Sequence, residues 1–263
     1  KTEQFQGRYM ETSLFFKTMT ILVGQLGIVF MGAYLFIFMA RRATLNGLKF
    51  FGETFEAHYN SSGKLDLLHI PVPEEERVIK YNERGEEVDD SIFGTLTSLF
   101  YLSLIGLSVA IFAELSFEVK ITLFTFHTLS FGPLLGLIMI QMDENDGLKA
   151  ILLTVLITFL IAFITLVLGV NVSWLVDYLL LPLVLLILFS IARIFYKFES
   201  TTIRWTAFGG ILLFILFLLA DFSILADANE SGVNDWSSAF NIAFQIYLDV
   251  INLLLQILDA MSN

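Results

Sequence analysis

Leu218-Leu219-Ala220-Asp221-Phe222 and Ile246-Tyr247-Leu248-Asp249-Val250-Ile251-Asn252-Leu253 lie within one stretch, Ile203–Met261, whose reading decides the fold. The stretch resolves into two apolar runs, Ile203–Ala226 and Trp236–Leu258, joined by the polar connector Asp227–Asp235. Each run is long enough to cross a bilayer as a helix, which takes ~20 apolar residues. Each also carries one carboxylate. An ionised Asp at the centre of a spanning helix costs at least ~2.5–3.5 kcal/mol, so acids held there call for a function. Whether the two meet depends on where the first helix stops. A stop at Ala226 puts Asp221 ~8 Å and Asp249 ~20 Å from the turn at ~1.5 Å per residue. A stop at Gly232 moves Asp221 to ~16 Å and brings the two nearly level. Gly232 favours the longer helix.

Composition extends this reading to the whole chain. Its 263 residues are 56% hydrophobic, with a mean hydropathy of +0.77, too apolar for a soluble domain and typical of a polytopic membrane protein. Cysteine is absent, which removes disulfides and thiolate metal sites. A net charge of −11 without a basic cluster argues against a nucleic-acid partner. No enzyme activity is expected: there is no nucleophile elbow, no His-Glu-x-x-His and no Gly-rich phosphate loop. Of the three histidines, His58 and His69 fall in a polar segment and only His127 in an apolar run.

Apolar runs place seven spans: 13–40, 91–115, 121–142, 148–170, 173–196 and the two of the opening stretch. The expected architecture is all-α, one transmembrane domain over 1–263, with a long polar loop, 44–90, between the first two helices. Lys17 near the start of the first span is expected to snorkel to the headgroups. Within the loop, Leu45–Tyr59 has the apolar spacing of an interfacial helix (Leu45, Leu48, Phe51, Phe55). Val78–Glu86 reads as a small hairpin ending at Gly85. Ser130-Phe131-Gly132-Pro133 reads as a break or kink in the third span. Arg41, Arg42, Lys49, Lys149, Arg193, Lys197 and Arg204 outnumber the Lys1, Arg8, Lys17 and Lys120 of the opposite side, which leans toward an outside N terminus.

Tyr247-Leu248-Asp249-Val250-Ile251-Asn252-Leu253-Leu254-Leu255-Gln256-Ile257-Leu258 resembles the last-helix signature of the Bax inhibitor (transmembrane BAX-inhibitor-motif) family, roughly Tyr-Leu-Asp-x-Ile-Asn-Leu-Phe-x-x-Leu-Leu. Ala220-Asp221-Phe222-Ser223 sits where that family has Tyr-Asp-Thr-Gln, so this match reduces to the Asp. His127–Leu135 is loosely similar to the family's Gly-Leu-Ser-Leu-Ser-Pro stretch. The second span lacks the basic residue with which some relatives latch the closed state, and the loop 44–90 is longer than the family's first connection. The resemblance implies a bundle of seven helices with the last near its centre. It also implies an N terminus in the cytosol, against the charge count. Bacterial members act as pH-sensitive calcium leaks, and eukaryotic members influence calcium handling and cell survival. An organellar membrane (mitochondrial inner membrane or endoplasmic reticulum) is therefore expected ahead of a bacterial plasma membrane.

The family's paired aspartates would be Asp221 and Asp249. Facing each other in low dielectric, the two share a proton and titrate as a pair. Deprotonated, they offer hard oxygens to Ca2+, the one metal expected; no other cofactor is. Each could instead cap or bond a neighbouring helix. Asn252, three residues past Asp249, shares its helical face. Asn252 and His127 are supporting candidates, His127 more as an interhelical hydrogen bonder than as a ligand. The partners expected are the lipid bilayer and Ca2+ or protons. A second reading has the scaffold serving as an accessory subunit of a larger membrane complex, such as a respiratory one, held to other subunits through loop 44–90.

Overall fold

The computed structural model of the chain describes residues 13–50, 54–59, 63, 65–70, 80–81, 87–88 and 92–261. Its frame is seven helices: α1 (Leu14–Leu45), α2 (Ile92–Phe112), α3 (Phe117–Met142), α4 (Glu144–Leu166), α5 (Val176–Phe195), α6 (Ser200–Glu230) and α7 (Trp236–Met261). All seven are long and apolar enough to cross a membrane. The chain is an integral membrane protein.

The helix ends follow local chemistry. Ser13 caps α1 through its hydroxyl, which accepts from Phe16 N at 3.3 Å. Asp143 both closes α3 and opens α4, its Oδ1 accepting from Asn145 N at 2.8 Å and Asp146 N at 3.3 Å. A single residue therefore makes the α3–α4 turn. Helix α6 runs past Ala226 to Glu230 and stops before Gly232, whose φ of +80° suits glycine. The longer reading of the sixth helix holds.

Helix α7 occupies the middle, touching α6, α1, α4 and α3, while α2 leans on α3 and α5 packs chiefly on α6. Lipid is as apolar as leucine, so close packing rather than water exclusion holds such a bundle together. Two devices supply it. One is an aromatic knot around the fully buried Phe124, whose ring meets those of Tyr247 at 4.8 Å, Phe244 at 5.3 Å and Phe240 at 5.7 Å, all edge-on. The other is small residues at the α1–α3 crossing. A methyl on Gly132 would lie 3.0 Å from both Gly32 Cα and Val29 O. Ser130-Phe131-Gly132-Pro133 is accordingly no break: α3 continues through it, and Gly132 serves backbone contact with α1.

One expectation about the first connection is corrected. Leu45–Tyr59 is not a helix. Asn46 and Gly47, the latter at φ +66°, end α1 at Leu45, and the chain turns into strand β1 (Thr54–Tyr59). This strand pairs antiparallel with β2 (Leu65–Ile70), from Thr54 opposite Ile70 to Tyr59 opposite Leu65. Phe50, Phe55 and Leu67 are buried, and the Phe50 ring meets that of Phe36 on α1 at 5.1 Å. The loop is thus partly folded onto the bundle. Farther on, β3 (Lys80–Tyr81) pairs with β4 (Glu87–Val88); the rest of the stretch read as the Val78–Glu86 hairpin lies outside the described residues, as do Lys1–Thr12 and Glu74-Glu75-Glu76. Lys17 does not snorkel. It is buried, donates from Nζ to Asn234 O at 2.8 Å and lies 5.4 Å from the centre of the Trp236 ring, tying α1 to the α6–α7 connector.

Candidate functional site: a carboxyl pair between α6 and α7

Because α6 reaches Glu230, Asp221 lies about 14 Å of helix from its end, and Asp249 about 20 Å from the start of α7. The two helices run side by side from the short connector, and the two side chains meet: the Asp221 and Asp249 carboxyls stand within hydrogen-bond reach of each other. Asp221 is only 6% exposed, Asp249 half-buried. No N–H or O–H donor among the described residues reaches Asp221 Oδ2. Two facing carboxyls can satisfy each other by holding a proton between them.

The supporting candidates behave differently. His127 is buried on α3, but its Nδ1 pairs with Ser103 Oγ of α2 at 3.1 Å. Its ring stacks parallel to Phe131 at 6.3 Å and meets Tyr247 edge-on at 6.4 Å. Its hydrogen bond thus joins α2 to α3, not to the aspartates. Asn252, half-buried one turn beyond Asp249, makes no side-chain hydrogen bond among the described residues. The buried Tyr247 hydroxyl, two residues before Asp249, has no hydrogen-bond partner among the described residues.

Two charged groupings escaped the sequence reading. Arg193 on α5 bonds Asp259 on α7 at 2.5 Å. Arg41, at the end of α1, reaches Glu144 Oε1 from Nε at 3.2 Å and from its Nη2 at 3.0 Å; the same Nη2 meets Leu65 O and Asn145 Oδ1, each at 3.1 Å. Glu144 Oε1 also accepts from Leu67 N at 2.8 Å. The only sequence signal was the closeness of Arg41 to one helix end and of Glu144 to a turn on the same side.

A seven-helix membrane protein with a carboxyl pair buried between its last two helices is the class that fold and site define. The family model "Inhibitor of apoptosis-promoting Bax1" matches residues 11–263. The chain belongs to the Bax inhibitor family. None of the curated proteins matches it individually.

Proposed function

We propose that this Bax-inhibitor-family protein is a pH-responsive calcium leak whose Asp221–Asp249 pair both senses protons and handles the ion. The observation that carries the reading is the carboxyl-to-carboxyl contact between α6 and α7, buried and without other donors at Asp221 Oδ2. With a proton shared, the pair is a hydrogen bond that ties the two helices together. Once the proton leaves, two anions face each other in a low-dielectric site, where repulsion favours separation and a divalent cation becomes the natural counter-charge. Two carboxylates supply hard oxygens but fewer than the six to eight ligands Ca2+ takes, so water or backbone carbonyls complete its shell in passage.

The test is a liposome flux assay with a calcium dye, from mildly acidic to mildly basic pH. Leak is expected to rise with pH in the wild-type chain and to lose that dependence in Asp221→Asn/Asp249→Asn. Equal leak from the two proteins removes the proposal.

The second reading, an accessory subunit of a larger membrane complex, draws on the α6 motif, where Ala220 and Phe222-Ser223 surround a lone Asp221. It loses its other motive, because the β1–β2 hairpin of the long loop is held by this chain's own Arg41, Glu144 and Asn145. Native gels of the source membrane separate the readings: co-migration with a large assembly favours the subunit, a free monomer the leak. An organellar membrane remains the expected source, and fractionation before the gel tests it.

A further inference from the structure

On the side of the bundle that bears the β1–β2 hairpin, Asp66 of β2 meets Asp143 and Glu144 of the α3–α4 turn. Each of the three offers a carboxylate oxygen within 4.8 Å of the others. Part of this gathering has an ordinary explanation. Asp143 caps α4, and acids suit a helix N-terminus. Arg41 neutralises one charge, and Asn145 Nδ2 donates to Asp66 Oδ1. Lys149 is occupied by Asp146 at 2.5 Å.

Glu144 does not fit that explanation. Its side chain is fully buried, and Oε1 alone takes every bond it receives, from Arg41 Nε, Arg41 Nη2 and Leu67 N. Among the described residues, Oε2 is buried with no partner. Leaving a charged oxygen dry and unbonded is costly unless something cationic completes it.

We infer that Asp66, Asp143 and Glu144 form a divalent cation site, separate from the Asp221–Asp249 pair, that fastens the β1–β2 hairpin to the α3–α4 turn. The chemistry favours Ca2+. All donors are hard oxygens, they come from two segments far apart in the chain, and Ca2+ at 2.3–2.6 Å tolerates the irregular shell such segments make, whereas Mg2+ demands a near-ideal octahedron. Oxygens bound to one Ca2+ at those lengths lie up to ~5 Å from each other, the spread these three show. Filling the site would give Glu144 Oε2 its missing partner and lock the hairpin in place.

The experiment is calorimetric titration of CaCl2 into the purified full chain carrying Asp221→Asn/Asp249→Asn, with excess Mg2+ throughout, so that the pair between α6 and α7 contributes nothing. One saturable Ca2+ site is expected there, and Asp66→Asn/Asp143→Asn on that background is expected to abolish it; Asn caps a helix as well as Asp, so the α4 start is kept. Absence of saturable binding in the first protein, or unchanged affinity in the second, overturns the site. Hydrogen exchange on the wild-type chain gives an answer even where a variant fails to fold. Ca2+ is expected to slow exchange at the Leu67 amide, which donates to Glu144; exchange there that is indifferent to Ca2+ also overturns it.

Discussion

Gly136 of α3 lies flush against Ala33 of α1: a methyl on Gly136 would sit 2.8 Å from the Ala33 carbonyl oxygen and 3.2 Å from its Cα. Backbone atoms cannot swing aside as a side chain can. Gly136→Val is therefore expected to force α1 and α3 apart and to cost about 1–3 kcal/mol, seen as a lower midpoint of thermal unfolding in detergent. Gly27→Ala is the control. Nothing lies within 4 Å of its would-be methyl, so helix propensity acts alone and the variant should be as stable as wild type or more so.

Arg41→Met leaves Glu144 buried without its counter-charge. Breaking a buried pair costs 3–5 kcal/mol. With 26% of the Arg41 side chain exposed, about 3 kcal/mol is expected. The loss should appear with easier proteolysis of the β1–β2 hairpin, because Arg41 also holds Leu65 O. Arg42, exposed and adjacent, should tolerate the same change.

Asp235 gives the bundle an acid-sensitive cap. Its Oδ1 accepts from Ser238 N at 2.7 Å and its Oδ2 from Ser238 Oγ at 2.8 Å. The Ser238 backbone N–H first, then its hydroxyl, hold the carboxyl below the usual carboxylate range. A group whose folded pKa is depressed stabilises above its unfolded value and stops doing so as pH falls through the folded one. Asp235→Ala should cost ~1 kcal/mol at neutral pH. The gap between the two proteins should narrow on acidification; a gap of constant size would show that the charge takes no part.

Arg193 and Asp259 form a short ion pair, yet their side chains remain 33% and 31% exposed. Half-wet pairs give ~0–1 kcal/mol and weaken with salt. A double-mutant cycle with Arg193→Gln and Asp259→Asn should return a coupling in that range that shrinks at high ionic strength. A larger, salt-insensitive value would mean that α5 depends on this contact to stay with the bundle.

The seven spans were legible because lipid imposes a length and a polarity that composition displays directly. The level placement of Asp221 and Asp249 was legible for a narrower reason: Gly232 is the residue that can take φ +80° at the end of α6. The misread element, Leu45–Tyr59, carried a helical spacing of apolar residues that served another purpose. Of that spacing, Phe55 is buried while Leu45 and Leu48 are exposed, and Gly47 at φ +66° ends the helix that the spacing suggested. The charge cluster was legible only as two helix ends on one side of the membrane, since Arg41 and Glu144 stand 103 positions apart and nothing local pairs them. His127 shows the same limit, as its identity left open whether it would face the acids or Ser103.

That separation bears on how the protein is made. A ribosome adding 5–20 residues each second needs about 5–20 s to travel from Arg41 to Glu144. Through that interval Phe50 already has Phe36 of α1 to pack against, but the Arg41 guanidinium lacks Glu144 and the β1–β2 ribbon lacks the α3–α4 turn that anchors it. The anchor of that ribbon is therefore complete only once the α3–α4 turn, which carries Glu144, has been made.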